Sequence, residues 1–206
     1  MKTIKKATVF CLMTLTFLIS ACKKDKKEIE VDDPSISVEV VNKTLDTFVP
    51  QPTPTDRFRY THSIDFDKDP LKIACSLGFV MSWENDPDGY YLHFNNGVGQ
   101  LLVNAKGLAR AFDKGTTIDG SLTGWNSDGA LAYDYVKEPN ADKGELAGKG
   151  DKYFAIKLID GRSSTGQNTP YYGWVKVNVA ANGRDVKVLE VGFQTTLGKA
   201  LKTGDK

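Results

Sequence analysis

The sequence predicts an all-β protein: one antiparallel β-sandwich or jelly-roll-like domain over residues 57–206, behind a signal peptide and a flexible tether. Three observations carry this. Aromatic and β-branched residues cluster in runs of five to twelve, Asn, Asp and Gly separate the runs, and apolar repeats at helical spacing are nearly absent. Strands are expected at 72–83, 89–94, 100–104, 129–136, 152–159, 171–179 and 185–193. Asn85-Asp86-Pro87-Asp88-Gly89, Asn95-Asn96-Gly97, Asp160-Gly161 and Asn182-Gly183 supply turn chemistry between them. One short helix is expected over Ala105–Phe112, where Leu108 and Phe112 lie four apart.

At the N-terminus, Lys2, Lys5 and Lys6 precede an apolar run from Ala7 to Ile19, and Ser20-Ala21 are small. This is the three-part layout of a secretory signal, with an apolar stretch short for a membrane span. Leu18-Ile19-Ser20-Ala21-Cys22 resembles the lipobox of bacterial lipoproteins. That resemblance implies export by the Sec route, cleavage after residue 21, and diacylglycerol and N-acyl lipid on Cys22. The first residue after it is Lys23, not Asp, which by the same resemblance favours the outer membrane. Lys23-Lys24-Asp25-Lys26-Lys27-Glu28 is similar to the short charged signals of surface-exposed lipoproteins.

The chain has 206 residues, with 27 Lys+Arg against 26 Asp+Glu. Residues 1–21 carry three lysines and no acid, so the remainder holds 24 basic and 26 acidic residues, a net charge of −2. A mildly acidic protein has no broad electrostatic drive toward nucleic acid. Membrane attachment is therefore expected through acyl chains.

Residues 22–56 read as a tether, charged at first and Pro-rich at Pro50-Gln51-Pro52-Thr53-Pro54. Alternation at Ile36, Val38 and Val40 permits a short strand there, so an arm packed on the domain is the alternative to a stalk. Once Cys11 leaves with the signal and Cys22 is acylated, Cys75 has no disulfide partner. It shares a strand face with Ile73, Leu77, Phe79, Met81 and Trp83, and reads as a small buried hydrophobe.

Ile64-Asp65-Phe66-Asp67-Lys68-Asp69, Lys114-Gly115-Thr116-Thr117-Ile118, Tyr153-Phe154-Ala155-Ile156-Lys157-Leu158 and Tyr172-Gly173-Trp174-Val175-Lys176-Val177 together resemble a loose group of exported bacterial β-sandwich proteins. The group opens its domain on an "IDxDxDG" segment and has a "YGWV" strand near its end. The resemblance implies fold and export, and supplies no active site. Asp65, Asp67 and Asp69 at spacing two could offer oxygens to calcium. Pro70 stands where a calcium loop has glycine and Ser76 occupies the place of the bidentate acid, so a carboxylate-capped turn is the favoured reading.

Candidate binding residues are aromatic. If the valines of strand 171–179 face the core, Tyr172 and Trp174 point outward beside Lys176 and Asn178. Tyr91 and His93 likewise oppose Tyr90, Leu92 and Phe94, and Trp125 lies in a glycine-flanked loop. Flat rings beside hydrogen-bonding groups suit a sugar or a partner protein. The alternative is that Tyr172 and Trp174 pack in a second layer or under a loop such as 137–151. The expectation is a non-catalytic glycan- or protein-binding module on an envelope lipoprotein, with no cofactor beyond the lipid. A small carbohydrate-active hydrolase is the runner-up, using Glu84, Asp86 or Asp88 with Asp134 or Glu190. A purely structural envelope component is the third reading.

Overall fold

The structure, a computed structural model, describes residues 33–48, 57–67, 71–83, 88–95, 98–134, 142–159 and 169–206. The signal, Cys22 and most of the expected tether lie outside them. No helix among the described residues is long and apolar enough to cross a membrane.

Twelve strands occur among the described residues: β1 (Ile36–Thr44), β2 (Phe58–Asp65), β3 (Ser76–Ser82), β4 (Asp88–Phe94), β5 (Gly99–Leu102), β6 (Thr117–Ile118), β7 (Trp125–Asn126), β8 (Asp128–Asp134), β9 (Asp151–Ile159), β10 (Pro170–Val179), β11 (Val186–Gln194) and β12 (Leu201–Lys202). They form a six-stranded sheet in the order β1-β11-β10-β9-β5-β7, a four-stranded sheet in the order β2-β3-β4-β8, and a ribbon of β12 with β6. Every strand pairing is antiparallel. The all-β sandwich is therefore the fold, and all seven expected strands are present.

The main core lies between the two large sheets. Val175, Val177 and Val179 of β10 meet Phe154, Ile156 and Leu158 of β9 on one side, with Leu77, Phe79, Met81, Tyr90, Leu92 and Phe94 opposite. Ile73 and Cys75 continue the buried row of β3 as expected. Alternation along each strand puts the next residue on the far face, and on the six-stranded sheet that far face is buried too. Leu102, Phe112, Ile118, Tyr153, Ala155, Tyr172, Trp174 and Leu201 form a second core there, beneath the β6–β12 ribbon.

Two glycines make this packing fit. Register places Trp174 opposite Gly192 and Phe193 opposite Gly173, on the two faces of the β10–β11 pair. A Cβ at Gly192 would stand 2.4 Å from Cε2 and Cζ2 of Trp174, and one at Gly173 would stand 2.6 Å from the Phe193 ring. Each aromatic lies across bare backbone on its neighbour, covering what glycine leaves open.

Two expectations need correction. Residues 33–48 are not a free stalk: β1 pairs along β11 from Ile36↔Gln194 to Thr44↔Lys187, and Leu45 and Phe48 are buried in the main core. The domain therefore begins no later than Asp33, not at residue 57. The helix over 105–112 is absent because Asn104 builds a turn. Its Oδ1 accepts from the amides of Lys106 and Leu108, at 2.9 and 3.1 Å, and Gly107 takes a φ of 74°. A local side-chain acceptor here competes successfully with a helix. Leu108 instead bridges to Ala130 and Phe112 to Tyr153.

The N-terminal end of the domain is clipped beside the C-terminus. Asp33 accepts from the Ser35 hydroxyl and amide and from Lys199 Nζ, which hold its carboxyl down from 3.8 to about 2. A depressed acid contributes above its unfolded value and loses that contribution as pH falls through its folded value. Protection factors for hydrogen exchange at the Ser35 and Thr195 amides, corrected for the intrinsic rate, should therefore fall as pH drops from 3.8 toward 2, and Asp33→Asn should remove that pH dependence. Gly192→Ala should cost about 1–3 kcal/mol by overpacking, read as a lowered urea midpoint with unchanged slope.

Candidate functional site

The outer face of the four-stranded sheet is where aromatic surface meets solvent. Phe58 and Tyr60 are 59% and 61% exposed, with their rings edge to face at 6.5 Å. They stand there because β2 is an edge strand: Ile64 reaches the core, while a register shift between Tyr60 and His62 lets Tyr60 face outward opposite Val80. The Tyr60 ring also extends across Gly78, where a Cβ would meet its Cε1 at 3.0 Å.

Register aligns two rows on this face. One runs Tyr60, Val80, Tyr91; the other runs Ser63, Gly78, His93, Asp128. Side-chain-free Gly78 lies within an open trough of about 530 Å³ whose walls include Tyr60, Ser63, Ser76, His93 and Asn95. His93 Nδ1 contacts Asp128 Oδ1, both side chains being about half exposed, at 50% and 58%. That contact orients the imidazole and leaves Nε2 as its free ring nitrogen for a ligand. The trough thus combines one flat ring with hydroxyls, an amide and a fixed imidazole.

This arrangement is not a Ser–His–Asp triad. Gly78 separates Ser63 from His93 by two strand spacings, about 9–10 Å between backbones, and among the described residues no hydrogen bond joins the two side chains, as an activated nucleophile requires. His62 lines the same trough as His93, with its ring 6.1 Å from that of core Phe79. Burial pushes the His62 imidazole below its ordinary value, and Lys43 adds to the shift.

The expected binding residues divide. Trp174 is fully buried and Tyr172 is 6% exposed, so the outward platform expected of this pair is corrected. The second core explains why: Phe112, Ile118, Leu201 and, at its edge, Leu122 and Trp125 cover the face that strand alternation alone would leave to solvent. Trp174 packs against the Tyr153 ring at 5.3 Å and 84°. Its indole N–H has no acceptor among the described residues, so ring packing is what holds it. Trp125 is half-buried at the rim, its N–H donating to the Leu122 carbonyl at 2.8 Å, with the Tyr172 ring 6.3 Å away. Tyr91 lies on the trough face, half-buried against Tyr133 at 5.9 Å.

Among the acids, Asp65 Oδ1 accepts the Asp67 amide at 3.0 Å, which is a capped turn. Asp69 lies outside the described residues, and among those described no three His, Cys, Asp or Glu side chains gather as metal ligands. Glu84 and Asp86 also lie outside. Asp88 is in register with Asp134 at one end of the four-stranded sheet. Glu190 belongs to the other sheet, 3.7 Å from Lys206 Nζ.

Sequence reasoning missed Phe58 and Tyr60. Their i, i+2 spacing was the available signal, but they precede a segment whose acids drew attention to a turn. No protein-family model, curated protein or solved structure matches the chain.

Burial, and then Asp65, push the Cys75 thiol up to about 11. Since the thiolate is the reactive form, the Cys75 peptide should stay unlabelled by iodoacetamide at pH 7.5 in native protein. Labelling should reach completion in 6 M guanidinium, as peptide mass mapping would show.

Proposed function

We propose that this chain is a Cys22-acylated lipoprotein of the outer membrane or cell surface, exported by the Sec route, whose β-sandwich is a non-catalytic glycan-binding module. The observation that carries the binding reading is the Tyr60 ring, 61% exposed beside a polar trough that it shares with His93 and Asn95. A sugar has one apolar face and a polar edge. The apolar face stacks on Tyr60, while its hydroxyls reach Ser63, Ser76 and His93 Nε2 across Gly78. Such a site needs no metal and no redox group. The lipobox residues Leu18–Cys22 support the anchor, and the balanced charge supports a ligand other than nucleic acid.

A partner protein is the second reading, favoured by the exposure of Phe58 and Val40, at 59% and 62%, on edge strands β2 and β1. A protein hot spot buries such side chains at its centre.

Tyr60→Ala should weaken binding of a glycan selected on an array by roughly five- to thirtyfold, a loss of about 1–2 kcal/mol, with thermal stability unchanged because the ring is exposed. Titration calorimetry with wild-type and variant protein decides this. No glycan retained at millimolar concentration, or equal affinity for the variant, would overturn the glycan reading. Cys22→Ser should abolish fatty-acid labelling.

A further inference from the structure

The opposite side of the sandwich carries an unclaimed cation. On the outer face of the six-stranded sheet, register aligns Gln100, Lys157 and Tyr172 across β5, β9 and β10. Lys157 is half-buried, and its Nζ lies 4.8 Å from the centroid of the Trp125 ring. No ion pair or side-chain hydrogen bond joins Lys157 to any described residue. The other half-buried lysines of this sheet behave differently. Lys152, 25% exposed, pairs with Asp113, and Lys176, 22% exposed, pairs with Asp151 at 3.1 Å.

Withdrawing an ammonium from water without a counter-charge is unfavourable, and here burial alone lowers the Lys157 amine below its ordinary value. Two further donors on this same face, the fully buried Gln194 Nε2 and Trp174 Nε1, lack acceptors among the described residues. Asp119, whose charge bears on Tyr172, is committed to the Ser121 amide and hydroxyl at 2.9 and 2.6 Å. This face therefore has a surplus of N–H donors.

We propose that Lys157, Gln100 and Trp125 form a second ligand subsite, separate from the Tyr60 trough, that takes the carboxylate of an acidic sugar. The carboxylate accepts from Lys157 Nζ and the Gln100 amide at the half-exposed rim. Trp125, whose indole is fixed through the Leu122 carbonyl, supplies an apolar wall to the attached ring. A sugar acid fits this site better than a free carboxylate, because the rim offers Trp125 and Leu122 as well as charge. Among the described residues the walls of the trough across the sandwich carry no lysine or arginine, so the two faces would read different chemistries.

The test uses the full chain with lysines dimethylated in carbon-13, which preserves their charge, and the Lys157 signal assigned by its loss in Lys157→Met. Glucuronate should shift that signal with a millimolar midpoint, and glucose should not. In calorimetry Lys157→Met should weaken glucuronate binding at least tenfold, about 1.4 kcal/mol, while its melting temperature is kept or raised because a desolvated charge is gone. Lys157→Arg should retain binding, and higher ionic strength should weaken it. The proposal fails if glucose or acetate shifts Lys157 as strongly as glucuronate, if Lys157→Met binds unchanged, or if no shift occurs at tens of millimolar. It also fails, in favour of a protein partner, if hexaglutamate binds more tightly than glucuronate.

Discussion

The indole of Trp174 lying across the bare backbone of Gly192 sets the architecture around it. An antiparallel sheet can leave one face to water, and the valines of β10 need only one covered face. Once a tryptophan and a tyrosine occupy the other side of that strand, the opposite face must be covered as well. The residues between β5 and β8 and those after β11 supply the cover, through Phe112, Ile118 and Leu201. A Cβ at Gly192 would meet the indole carbons at 2.4 Å, so the tryptophan and the glycine are one feature spread over two strands.

That double burial decides which surface stays exposed among the described residues. On the six-stranded sheet Trp125 and Lys157 reach solvent at the rim of β5, β7 and β9, and Val40 does so on β1. On the four-stranded sheet Phe58 and Tyr60 are exposed. There the edge position of β2, the shift at Thr61 and the missing side chain at Gly78 combine to lift Tyr60 beside a trough. The same types of residue, tyrosine beside glycine across a strand pair, produce core on one sheet and surface on the other. The difference is whether a further segment covers them.

The N-terminal strand links the domain to whatever precedes it. β1 is a full edge strand of the larger sheet, and its start is held against the C-terminus by Asp33, Ser35, Thr195 and Lys199. A chain attached through residues ahead of Asp33 would thus pull on a hydrogen-bonded strand edge clipped by an ion pair. Under the lipoprotein reading, ten residues would separate Cys22 from that clip, at most about 36 Å of extended chain.

By itself the sequence determined what is local. Alternation of valine, phenylalanine and tyrosine marked seven strands, and the pattern around Cys75 showed a buried thiol, because a two-residue period is a property of the strand alone. It also carried the turn at Asp65. What only the tertiary structure decided was the partner of each face. Periodicity separates Tyr172 and Trp174 from the valines, but it contains no term for a strand about 55 residues upstream pairing with one about 30 residues downstream. The docking of β1 on β11 has the same origin, a partner distant in sequence, whereas the turn at Asn104 is local, its side-chain oxygen outweighing a helical preference.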